Sequence, residues 1–275
     1  MNKKLHFISL LIKRYKEDEL AVISSRIAYS LLLSFIPLLI FLLTILGFTH
    51  IKSGNIMIYI SDIVPKDVYQ LISEILKEVV DTKRSNLLSF SLIATLWSAS
   101  GGIKSIMWAL NRAYDEKEKR GFIKFNLISL LFTIGIIGIV FISMIMVVWG
   151  NVIGQYVIYK LHITGISILL WNILRYLIVT VFMFIIFISI YYYLPCRRQR
   201  FRDIVSGTLF STIGWILSSF AFSYYVDNYA NYSRVYGSIA SIFILMLWFY
   251  ISSIILLLGG EINAVLLEAK KRNTI

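Results

Sequence analysis

Long uncharged runs alternate with short charged blocks along this chain, and the alternation predicts membrane-crossing helices. The run 27–48 lies between Arg26 and Lys52, and the run 87–111 is apolar apart from Lys104. The run 125–149 follows Lys124 and is closed by Gly150 and Asn151. Three more follow: 172–194, stopped by Pro195; 204–226, between Asp203 and Asp227; and 235–261, between Arg234 and the residues after Glu261. About 20 residues at 1.5 Å each cross a hydrocarbon core, and helices satisfy their backbone groups within the segment. The expected fold is all-α: a polytopic membrane protein of six transmembrane helices, forming one domain over residues 1–275.

Two stretches outside the runs keep a helical period. In the arm 1–25, Leu5, Ile8, Ile12 and Tyr15 share a face among lysines, the pattern of a helix lying on a membrane surface. In 51–86, Val68, Leu71, Ile72, Ile75, Leu76, Val79 and Val80 form an apolar face opposite charged residues, with Pro65 at a helix start. A shorter pattern at Ile56, Ile60, Ile63 and Val64 precedes it, so an external amphipathic helical hairpin is expected. Residues 262–275 are expected to form a basic tail.

Composition agrees: 58% of residues are hydrophobic, 15% are charged, and the mean hydropathy is +0.78. Soluble domains carry about 25% charged residues. The net charge of +12 is explained by position. Most lysines and arginines fall in the N-terminal arm, in 112–124, in 197–202 and in the tail, which places these segments and both termini in the cytoplasm. A nucleic-acid partner is therefore not needed to explain the charge. Cys196 is the only cysteine, which excludes an internal disulfide. The apolar run 5–12 leads into charges rather than a small-residue cleavage site, so no cleavable leader is expected.

Lys104 is the most informative residue, because a charge within a span needs a partner, water or a route to the interface. It follows Ser98-Ala99-Ser100-Gly101-Gly102 and sits roughly 10 Å from the end of its helix. Its stem either snorkels to the interface or lines a polar cavity beside a break at the glycine pair. Glu261, in Gly259-Gly260-Glu261-Ile262-Asn263, is expected to pair with Lys104 or Arg26. Such a pair would lock the bundle or form part of an anion site. Pro37 removes one hydrogen bond from the first span, so a kink is expected there. Small-residue faces at Gly135 and Gly138, at Gly207, Ser211 and Gly214, and at Gly237, Ala240 and Ser241 suggest close helix packing.

No chemistry of catalysis stands out. His6, His50 and His162 are scattered, with no His/Cys ligand cluster, phosphate loop or Gly-x-Ser-x-Gly elbow. Catalytic residues, metal ligands and cofactors are all expected to be absent.

Several segments carry a resemblance. They are Ala28-Tyr29-Ser30 through Pro37-Leu38-Leu39, Trp97-Ser98-Ala99-Ser100-Gly101-Gly102, Ala109-Leu110-Asn111-Arg112-Ala113-Tyr114, Tyr193-Leu194-Pro195, Tyr236-Gly237-Ser238 with Leu247-Trp248-Phe249-Tyr250, and Leu258 to Asn263. Together they resemble the YihY/BrkB family of bacterial inner-membrane proteins over nearly the whole chain. Gly260 stands where that family commonly has Ala. The resemblance implies a six-span protein of the bacterial plasma membrane. The family has carried a ribonuclease BN label, regarded as a misassignment, and a serum-resistance label, and some members are linked with envelope lipid export. The expectation is a transporter or flippase-like protein for an anionic amphipathic substrate, with membrane lipids as partners. Arg26, Tyr29, Lys104, Glu261 and Asn263 are its candidate contacts; Pro37, Gly101, Gly102, Gly237, Gly259 and Gly260 are its structural or hinge positions. The alternative is a non-transporting membrane scaffold.

Overall fold

The computed structural model describes residues 3–48, 85–139, 166–229 and 239–272, and the regular elements among them are all helices. These are α1 (Lys3–Glu17), α2 (Leu20–Phe48), α3 (Ser85–Ala113), α4 (Phe122–Ile139), α5 (Ile166–Tyr193), α6 (Phe201–Tyr229) and α7 (Ile239–Arg272). Four contain segments long and apolar enough to cross a membrane: Leu20–Leu42, Phe122–Ile139, Phe201–Val226 and Ile242–Lys270. Thr180–Tyr193 in α5 is a shorter apolar stretch. α3 is as long as α2, but Ser, Thr, Gly and Lys104 interrupt its apolar run. Residues 51–84 of the expected hairpin (51–86), the end of the 125–149 span, and Gly237 lie outside the described residues.

The boundaries differ from the expectation in a consistent way. α2 begins before the uncharged run, at Leu20, and α7 continues through most of the expected tail to Arg272. Charge marks where a helix leaves the apolar phase, not where its hydrogen bonding ends. α2 also runs through Pro37 as one helix. α5 ends at Tyr193, two residues before Pro195, whose ring opposes further helix.

α2 packs along α3, and α7 packs along α6 and α2; α6 also meets α5. Ile27, Met107, Leu110, Ile188, Ile204 and Leu257 are among the buried side chains at the centre. The α1–α2 junction and the connections 114–121 and 194–200 are joined by hydrogen bonds at one end of the bundle. Lys270 in α7 reaches the same end, 2.8 Å from Asp203 at the start of α6. This basic end holds the polar contacts described next.

The small-residue faces divide. Gly207, Ser211 and Gly214 do pack closely: a Cβ on Gly207 would collide with the Gly259 carbonyl oxygen, and one on Gly214 would stand 3.1 Å from Ile255 Cγ2. By contrast, a Cβ on Gly135 or Gly138 would meet nothing within 4 Å. The expectation of close packing is not met there among the described residues, and Gly135 lines an open groove.

Candidate functional site

At the basic end the central group is Arg14, on the face of α1 turned to the bundle. Its guanidinium donates to the Ala113 carbonyl at the end of α3 (2.8 Å) and to Glu268 of α7 (3.0 Å). It also stands 3.5 Å from Asp115 and 3.7 Å from Glu261. The Arg14 and Glu261 side chains are 14% and 2% exposed. Glu261 therefore pairs with Arg14, not with Lys104 or Arg26 as expected. Burial alone would lower the Arg14 pKa, but the Glu268 hydrogen bond and the charges of Glu261 and Asp115 outweigh it and raise the value. One residue thus caps the end of α3, stands beside the buried Glu261 side chain and fastens α1.

The Asn111-Arg112 pair forms a second joint. Asn111 donates to Glu118 (2.8 Å) and accepts from the Cys196 amide (2.6 Å). Arg112 donates to Asp18 at 2.9 Å and to the Glu17 carbonyl. Arg120 donates twice to Glu118 (2.7 and 2.6 Å) and once to the Leu194 carbonyl (2.9 Å). Burial acts to raise the Glu118 pKa; the Arg120 and Asn111 hydrogen bonds prevail and lower it from 4.5 to about 2. Asp115 occupies a left-handed position (φ 55°) just after α3. The Glu116 amide then bonds the Asn111 carbonyl and the Asp115 amide the Arg112 carbonyl, which closes the helix end.

Asn263 and the glycine pair of α7 serve packing. Asn263 is fully buried, and its Oδ1 accepts from the Gly207 amide at 2.6 Å. Tyr191 donates to the Leu256 carbonyl and contacts Ser211 Oγ, both at 2.6 Å. A Cβ on Gly259 would collide with Ser211, Tyr191 and Gly207, and one on Gly260 would stand 2.5 Å from Leu110. Gly259 thus permits close approach to the Gly207 backbone, and Gly260 makes room for the Leu110 side chain. Just beyond α3, the Tyr114 hydroxyl is enclosed near Glu261 and Asp203; burial first, then these charges, raise its pKa.

The other expected contacts face outward. Arg26 and Tyr29 are exposed on α2, in a stripe with Val22, Leu33 and Ile36. Lys104 is half-buried, but it lies on the α3 stripe formed by the exposed Phe90, Ile93, Trp97 and Trp108. Gly101 and Gly102 do not break α3; a Cβ on either would stand 3.4 Å from Ser30. That contact sets Arg26, one turn before Ser30, level with Lys104, one turn beyond Gly101. The arrangement is a basic, aromatic-flanked surface where α2 and α3 meet. Sequence reasoning assembled its members but placed them inside the bundle. It missed Arg14, which looks like any other charge of the arm.

Among the described residues, no group of three or more His, Cys, Asp or Glu side chains is placed to hold a metal. The fold and this division of charge define an all-helical integral membrane protein with a polar joint at one end and a basic lateral face. A family model described as virulence factor BrkB matches residues 11–274, and the chain belongs to this family. It is 36% identical to the ribonuclease-like protein YfkH of Bacillus subtilis, covering 97% of each chain. UPF0761 membrane proteins of Alteromonas mediterranea and Pseudoalteromonas translucida are 26% and 27% identical; the matches cover 94% and 92% of this chain and 87% and 83% of theirs. No solved structure matches.

Proposed function

We propose that the protein moves or presents an anionic, amphipathic envelope lipid at the lateral face of α2 and α3, as a transporter or flippase-like protein. The carrying observation is that Arg26 and Lys104 stand level on neighbouring helices, with Tyr29 and Trp108 on the same outward stripes. A charge retained on such a stripe is stabilised by a headgroup phosphate and by snorkelling. The reading includes six spans in a bacterial plasma membrane, α1 on the inner surface, and both termini in the cytoplasm, supported by the lysines and arginines of the basic end. In this reading Glu261 and Asn263 hold the frame and do not touch the lipid.

The test is movement of a fluorescent phosphatidylglycerol across vesicles containing the purified protein. Arg26→Ala with Lys104→Ala should slow it roughly tenfold or more, given about 1 kcal/mol for each basic side chain near anionic lipid. Unchanged movement in that variant sinks the site. The polar joint favours a second reading, a rigid scaffold, and movement no faster than in protein-free vesicles would support it. Ribonuclease chemistry is not part of either reading: the name belongs to the Bacillus relative.

A further inference from the structure

A different part of the molecule has the form of a lipid seat. Between α4 and α5 lies a groove of about 390 Å³, walled by residues such as Leu131, Gly135, Ile139, Ile186 and Ser189, and reaching Tyr193. That volume falls within the usual range for small-ligand pockets, about 300–1,000 Å³. The groove stays open because α4 presents no side chain at Gly135, where a Cβ would meet nothing within 4 Å. Its walls are almost wholly apolar, so a hydrocarbon chain suits it and a water-soluble metabolite does not.

The charges at its basic end indicate what kind of chain. The Arg198 guanidinium lies 6.0 Å from the centre of the Tyr193 ring, the last residue of the groove. Lys124 is exposed on the same helical face of α4 as Leu131 and Gly135, about 10 Å nearer the basic end. Neither cation has a carboxylate partner among the described residues, a state they share with Lys16, Lys117, Arg200 and Arg202, while Arg14, Arg112, Arg120, Arg197 and Lys270 at this end are paired. What sets these two apart is their place at the end of the groove. Phe122 and Ile123, beside Lys124, are strongly exposed, as suits residues at the membrane interface. An apolar slot ending at two uncompensated cations matches one molecule of fixed polarity: acyl chain in the slot, anionic headgroup at its mouth.

We propose that the α4–α5 groove binds an anionic phospholipid, with one acyl chain along Gly135 and Ser189 and the phosphate at Arg198 and Lys124. This site is separate from the α2–α3 face and stands whether or not the protein moves lipid.

The full-length protein in detergent, titrated with phosphatidylglycerol or phosphatidylcholine and observed by native mass spectrometry, provides the test. Phosphatidylglycerol should bind in preference. Lys124→Gln with Arg198→Gln should abolish that preference, with each charge contributing about fivefold, while phosphatidylcholine binding persists. Gly135→Leu, which fills the slot, should reduce binding of both lipids. Both cations are exposed, so the charge variant remains informative if Gly135→Leu fails to fold. A photo-crosslinker replacing Ser189 should capture lipid. Equal binding of the two lipids by the unaltered protein, or capture at Ser189 of another segment of this chain or of a second copy, overturns the proposal.

Discussion

The contacts α6–α7 and α4–α5 are built from similar sequence and end in opposite states. Both carry small residues about a turn apart: Gly207, Ser211 and Gly214 on α6, Gly135 and Gly138 on α4. On α6 these residues let α7 approach to backbone contact, while on α4 Gly135 lines a groove and a Cβ on either glycine would meet nothing within 4 Å. The difference lies in the partner helix. α7 offers Asn263 to the Gly207 amide and the Ile255 carbonyl to Ser211, so close approach creates hydrogen bonds. α5 faces α4 mainly with Ile185, Ile186, Ile190 and Tyr193, which gain no such bonds there. Lipid tails are as apolar as isoleucine, so small residues drive association only when packing or polar contact rewards it.

The largest expected effect comes from forcing the closed contact apart. Gly259→Val places branched carbon against Ser211, Tyr191 and the Gly207 carbonyl. It should cost about 3 kcal/mol or more, the upper range for overpacking, measured by thermal unfolding in detergent. Wild-type stability in this variant would show that the two helices can separate freely. The open pair should be broken elsewhere, at its corner. Arg120→Met strands Glu118 and the Leu194 carbonyl, and should cost about 2–3 kcal/mol; addition of Glu118→Gln should recover part of this in a double-mutant cycle.

The same corner carries a pH signature. The folded Glu118 value of about 2 lies below its ordinary 4.5. Its stabilisation is therefore complete above about pH 4.5 and is lost as pH falls toward 2. Unfolding followed over that window should show this loss, and Glu118→Gln should flatten that component; an unchanged profile would deny that the corner holds the carboxylate charged. The smallest effect is expected in the groove wall. Gly135→Ala should change stability by no more than about 1 kcal/mol, and in the stabilising direction, because alanine favours helix and meets no neighbour. A clear loss would mean that the groove is filled.

Much of the helical layout was legible from charge spacing, since a charge marks the edge of an apolar run. The α6–α7 contact was legible from its glycines, and the anchor at Glu261 from a carboxylate standing after Gly259-Gly260. The partner of that carboxylate was not legible. Arg14 sits between Lys13 and Lys16, and only the docked orientation of α1 turns Arg14 inward and leaves Lys13 outside. The apolar positions of α1 divide in a similar way: Ile8 and Ile12 are exposed, as an interfacial helix requires, while Tyr15 packs on the core. Periodicity identifies the faces of a helix but does not choose which one the bundle takes. Likewise the position of Lys104 along α3 leaves open a snorkelling stem or an internal cavity, and its rotation about the axis carries it to the lateral stripe.

The Arg14 joint also imposes an order on biosynthesis. Arg14 and Glu268 are 254 residues apart. A ribosome adding 5–20 residues each second takes about 13–50 s to travel between them. Throughout that interval α1 has emerged, but its α7 carboxylates have not been made. The Ala113 carbonyl and Asp115 are made long before those carboxylates, so α1 can be fastened to the end of α3 first and to α7 only afterwards.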